Sequence, residues 1–211
     1  KNVFLGAGAG ENITTGAFNT ALGYGALSTE NAYGRNVAVG YLALATLDAA
    51  ADAYNTAVGF NAGAAVTTGT QNILIGGLAG DALTTGSDNV AIGTGSLSAA
   101  NAGNRSIAIG SSALNAQNAG SAGQNMYNIG IGYNAGGSVT TGVENTIIGG
   151  LAGDALTTGE RNVAIGHGSL GSANGAESRN TAIGWSALAA LDADGNGYNT
   201  AVGYNAGAGI T

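Results

Sequence analysis

The sequence contains no cysteine and no proline, a single histidine and only five basic residues. Without cysteine there is no disulfide framework or thiolate metal site, and the redox compartment stays undetermined. Without proline, nothing interrupts a continuous ladder of backbone hydrogen bonds. The basic residues are Lys1, Arg35, Arg105, Arg161 and Arg179, set against a net charge of −7. That balance gives no basic patch to neutralise phosphates, which excludes a nucleic-acid binder. No apolar run approaches the roughly 20 residues a membrane-spanning helix needs. Charged residues make up 8% of the chain, against about a quarter in ordinary soluble domains. Low charge with many β-branched residues also argues against disorder. What is abundant is glycine, 40 of 211 residues, without the every-third spacing and proline that collagen requires.

The glycines follow a repeat. A motif Asn-x-Ala-(Ile/Val/Leu)-Gly begins at Asn2, Asn19, Asn36, Asn55, Asn72, Asn89, Ser106, Asn128, Asn145, Asn162, Asn180 and Asn199. The steps are mostly 17 to 19 residues, with one of 22. Periods in this range signal a solenoid, in which each rung buries its apolar side only against its neighbours. Four rungs form a larger unit of about 72 residues, since Asn55 to Asn128 spans 73 and Asn128 to Asn199 spans 71. Gly76 to Gly86 returns unchanged as Gly149 to Gly159. Residues 1–211 therefore read as one repeat array, and because it opens and closes within repeats, as a segment of a longer fibrous protein.

With the motif asparagine as position 1, position 2 is always β-branched, from Val3 and Thr20 to Thr200, and position 4 is always aliphatic, from Leu5 to Val202. Such residues favour a pleated, packed surface, and a period of two places both positions on one face of a short strand. Position 3 points the other way and is usually alanine, but it is Phe4, Leu74 and Ile147 in one rung type. The expected fold is all-β: a parallel β-solenoid, or β-roll, of about twelve rungs. Both strand faces are apolar while a thin coil has one interior, so the second face calls for self-association. The closing glycine is expected to supply a bend or a close backbone approach. The opening asparagine is expected either to adopt a left-handed conformation or to form a side-chain ladder between rungs. A second apolar spot, such as Ala26-Leu27, Ala43-Leu44, Ser96-Leu97 or Ala187-Leu188, marks another wall of the coil. Rungs about 4.8 Å apart make the segment some 55–60 Å long.

Candidate sites are few. His167 follows its rung glycine at position 6, the column that elsewhere holds Tyr24, Tyr41, Phe60, Tyr133, Trp185 and Tyr204. This column reads as aromatics stacked along a shaft or, if exposed, as platforms for sugar rings. Tyr54, Tyr127 and Tyr198 precede the strand in one rung type, a regularity that reads as structural. The carboxylates are scattered through turns and no catalytic pair stands out, so no enzymatic activity is expected. The Gly-x-Gly runs lack the following helix and acidic partner of a nucleotide site. Asp192, Asp194 and Asn196 alternate oxygen ligands like the opening of a calcium loop. Gly203 stands where an EF-hand would place its glutamate, so the alternatives are a partial calcium site or a metal-free Asx turn.

At Asn55-Thr56-Ala57-Val58-Gly59, Asn89-Val90-Ala91-Ile92-Gly93 and Asn180-Thr181-Ala182-Ile183-Gly184, the chain resembles two groups. These are the head repeats of trimeric autotransporter adhesins and the repeat regions of bacteriophage tail fibres. The resemblance spans essentially the whole chain, and the rung length favours the tail-fibre group. It implies an intertwined homotrimer, an extracellular or virion location and no catalytic residues. The expected function is a structural shaft holding a receptor-binding tip at a distance. The alternatives are an adhesin that binds glycan or matrix through the rungs, and a self-assembling filament.

Overall fold

The computed structural model describes residues 1–29, 33–172, 175–191 and 196–210. It is an all-β solenoid. Its strands are β1 (Val3–Leu5), β2 (Thr20–Leu22), β3 (Val37–Val39), β4 (Thr56–Val58), β5 (Ile73–Ile75), β6 (Val90–Ile92), β7 (Ile107–Ile109), β8 (Ile129–Ile131), β9 (Thr146–Ile148), β10 (Val163–Ile165), β11 (Thr181–Ile183) and β12 (Thr200–Val202). They form one parallel sheet in chain order. The register places every motif position on its equivalent, as in Thr20↔Val37, Ala21↔Ala38 and Leu22↔Val39. The sequence repeat and the structural repeat are thus the same object.

Each strand stops after three residues because glycine follows. All twelve motif glycines have φ between 128° and 143°, where a side chain is strained. A Cβ on Gly40 would also sit 2.2 Å from the carbonyl oxygen of Gly59. Bend and close approach, which the sequence leaves as alternatives, occur together.

The asparagine forms the ladder. The Asn72 side-chain oxygen accepts from the backbone N–H of Asn89 at 3.1 Å, and its Nδ2 donates to the Gly86 carbonyl at 2.9 Å. Such a side chain therefore joins the two ends of its own coil and ties it to the next, except that Nδ2 of Asn36 and Asn180 donates to the carbonyls of Gly34 and Ser178 two residues earlier. Left-handed backbone falls one residue earlier. Phe18, Arg35, Tyr54, Gln71, Asp88, Arg105, Tyr127, Glu144, Arg161, Arg179 and Tyr198 all have φ between 51° and 63°. The ladder has a splice at Ser106, where the shorter side chain cannot span. Gln117 Nε2 donates to Ser106 Oγ at 2.9 Å, and Gln117 Oε1 accepts from Asn128 Nδ2 at 2.9 Å.

The interior takes the alanine column. Ala21, Ala38, Ala57, Ala91 and Ala108 are fully buried, as are Leu27, Leu44, Leu97 and Leu114 at position 9 of the facing wall. That wall is made of turns, with its leucines left-handed at φ 47–52°, and not of a second set of strands. Size is complementary across the coil. Rungs with alanine at position 3 carry leucine at position 9 in six cases: Ala21 with Leu27, Ala38 with Leu44, Ala91 with Leu97, Ala108 with Leu114, Ala164 with Leu170 and Ala182 with Leu188. Rungs with Phe4, Leu74 or Ile147 carry Gly10, Gly80 or Gly153 instead. A Cβ at Gly80 would lie 2.8 Å from Leu74 Cδ2, and one at Gly10 equally close to the Phe4 ring. A third type, small on both sides as with Ala57 and Gly63, is filled from neighbouring rungs by Leu44 and Leu74. The types succeed one another with period four, so the four-rung unit is a packing period.

Candidate interaction surfaces

With alanine turned inward, positions 2 and 4 point out. Ile73 is 41% exposed, Ile75 37% and Ile107 36%, although these rungs are covered above and below. The outer sheet face is consequently an uninterrupted stripe of Thr, Val, Ile and Leu along twelve strands. Soluble monomers rarely show contiguous apolar stripes of this kind, which mark contact surfaces.

Two columns flank the stripe. On one side run the position 6 residues. Tyr24, Tyr41 and Phe60 stack at centroid distances of 5.5 and 5.3 Å, with interplanar angles of 12° and 10°. His167 stacks on Trp185 at 4.2 Å and 11°. Tyr41 has a ring against each face and offers solvent mainly its edge, which disfavours a sugar platform at that place. Gly77, Thr94 and Ser111 interrupt the column between Phe60 and Tyr133.

On the other side lie the left-handed residues that precede each motif. Lys1, Arg35, Arg105, Arg161 and Arg179, every basic side chain of the molecule, fall in this column. The sequence reading missed this, although the signal is there once the rungs are aligned. Arg35 pairs with Asp52 at 2.6 Å and lies over the rings of Phe18 and Tyr54, at 5.2 and 5.5 Å. Arg105 meets Asp88 at 3.5 Å and donates to the Tyr127 hydroxyl at 3.1 Å. Arg161 pairs with Glu144 at 2.7 Å and Glu160 at 3.2 Å. Arg179 lies over Tyr198 at 5.8 Å. Tyr54, Tyr127 and Tyr198 therefore serve as ring partners for arginine. Exposed pairs of this kind add little to stability, but they neutralise Arg35, Arg105 and Arg161.

Of the candidate calcium ligands, Asp192 and Asp194 lie outside the described residues. Asn196 is described, and its Oδ1 accepts a hydrogen bond from Arg179 Nη1. Among the described residues, no group of three or more His, Cys, Asp or Glu side chains is placed to hold a metal. No helix among them is long and apolar enough to cross a membrane.

One cleft of about 300 Å³ opens beside the second half of the aromatic column, with Asp154, His167, Ser172, Trp185 and Ser186 among its lining residues. Burial raises the pKa of Asp154 above the ordinary carboxylate value, opposed by its own backbone N–H and by His167. The equivalent Asp81, one larger unit earlier, is raised for the same main reason. Asp81 Oδ1 is buried without a hydrogen-bond partner. No hydrogen bond links His167 to Asp154, Ser172 or Ser186, so no proton relay is assembled there.

Comparison of the chain with protein-family models, with curated proteins and with solved structures finds no match.

Proposed function

We propose that the chain is a length of rigid extracellular fibre shaft, in which three copies pack their outer sheet faces together. The supporting observation is the apolar stripe at positions 2 and 4, left uncovered on a coil whose single interior is already filled by alanine and leucine. Burying that stripe against other copies recovers roughly 25 cal/mol for each Å² of apolar surface removed from water. Closed cyclic symmetry is the common solution for identical chains, and the number three comes from the resemblance to tail-fibre and adhesin-head repeats. Mechanically, a parallel ladder continued through twelve rungs with an asparagine lock at its edge resists bending. It would hold a terminal receptor-binding element away from its anchor.

Sedimentation equilibrium tests this directly. A particle of three times the 20.1 kDa chain mass is expected, with small-angle scattering giving a rod. An I73D/I107D variant, changed only on the outer face, is expected to fall to monomers while keeping its circular dichroism. A monodisperse wild-type monomer at micromolar concentration would sink the proposal. End-to-end polymers of the purified chain would replace it with the filament reading.

A further inference from the structure

The two complete four-rung units serve as internal controls for one another. Rung ten, from Asn162 to Ser172, repeats Asn89 to Ala99 with only three departures: Thr94 becomes His167, Ser98 becomes Gly171 and Ala99 becomes Ser172. All three new residues line the cleft described above. In the next rung Ser111 is replaced by Trp185, which also lines it. Four of the differences between the two units, among others spread along their rungs, thus fall on this one cleft.

The patch has two chemical sides. Trp185 is 51% exposed, and His167 covers one of its faces at 4.2 Å. Among the described residues no ring lies against the other face. Gly150, directly before His167 in the column, leaves the imidazole open as well, since even a Cβ there would only touch His167 Cδ2 at 3.5 Å. Against these rings stand a half-buried carboxylate, Asp154, and the hydroxyls of Ser172 and Ser186, neither engaged by another described residue.

We propose that this cleft is a binding site for an uncharged pyranose sugar, with Trp185 and His167 against the C–H face of the ring and Asp154 and the two serines meeting its hydroxyls. A sugar ring has an apolar face and a rim of O–H donors, and this cleft offers a complement to each. Gly168 and Gly171 leave the ring room to approach. The carboxylate and the net charge of −7 select against acidic sugars. Sugar binding here is independent of the shaft reading, because it concerns the position 6 column and not the outer stripe.

Trp185 is the chain's only tryptophan, so its fluorescence reports on this site alone. The full 211-residue chain is titrated with maltotriose, cellotriose, mannotriose and galactobiose, with glucuronate and tetramethylammonium as charged controls. A saturable change with at least one neutral sugar is expected. Affinity should fall about ten-fold or more in H167T/G171S/S172A, which restores the residues of rung six and keeps both Trp185 and a coil known to accept them. Unchanged circular dichroism and melting temperature of that variant separate lost binding from lost folding. No response to any neutral sugar, an equal response in the triple variant, or a response to tetramethylammonium alone would each overturn the assignment.

Discussion

An asparagine such as Asn72 satisfies its own coil and the next one with a single side chain, so its removal leaves several buried groups unpaired. An unsatisfied buried donor or acceptor costs about 1–3 kcal/mol. The splice at Ser106 and Gln117 makes this testable without gross damage. Gln117→Leu is expected to destabilise by about 2 kcal/mol, because Ser106 Oγ and Asn128 Nδ2 each lose a partner. Adding Ser106→Asn should recover most of it, since rungs three and eleven already combine Asn36 with Leu47 and Asn180 with Leu191. Chemical denaturation of the four members of this cycle measures the coupling, and an additive result would contradict the splice. Acid titration probes a second residue-scale feature. Burial raises the pKa of Asp81 and Asp154 above 3.8, so protonation favours the folded state. The stability they contribute is fully present below that value and is lost as pH rises through their folded pKa. A D81N/D154N variant should therefore melt higher than wild type at neutral pH, with the gap closing as pH falls toward 3.8. A gap that widens on acidification would contradict the burial effect.

Among elements, what matters is the pairing of each three-residue strand with the turn wall opposite. Leu74 is fully buried and occupies the space left by Gly80 and, in the preceding rung, by Gly63. Leu74→Ala is expected to cost about 2–5 kcal/mol through the cavity it opens. Gly80→Leu alone meets the Leu74 methyls and is destabilising through overpacking. Together they reproduce the Ala91 and Leu97 arrangement of the following rung, where leucine already sits left-handed at φ 50°, close to the 57° of Gly80. The double variant should recover much of the combined loss, though not all, because Gly63 still loses its Leu74 contact. Thermal unfolding of the three variants checks this. Much of this level was legible beforehand. β-Branched position 2 and aliphatic position 4 marked the twelve strands, and the near-copies at Gly76 and Gly149 marked the larger unit. The inward choice was not legible, since both strand faces are apolar and periodicity alone does not rank them. Nor was the reason for period four, which needs the contact between positions 3 and 9.

At the scale of the whole molecule, stability is approximately a sum over rungs and their interfaces. Deleting Asn55 to Tyr127, one complete unit of 73 residues, brings rung three against rung eight, which is of the same small-small packing type as rung four. The shortened chain is expected to keep its strand signal by circular dichroism and to lose about 19 Å of length by small-angle scattering, four rungs at the strand spacing. Collapse of the fold would mean that the units are not interchangeable.

By itself the sequence determined the rung count, the parallel stacking and the asparagine, strand and glycine register, because these follow from local chemistry repeated twelve times. Only the tertiary structure decided which strand face fills the coil, which carboxylates Arg35, Arg105 and Arg161 meet, and that His167 and Trp185 stack beside Asp154. The physical reason is separation along the chain: rungs 17 or more residues apart become neighbours only when the coil closes, and what a side chain then touches depends on the width of the coil.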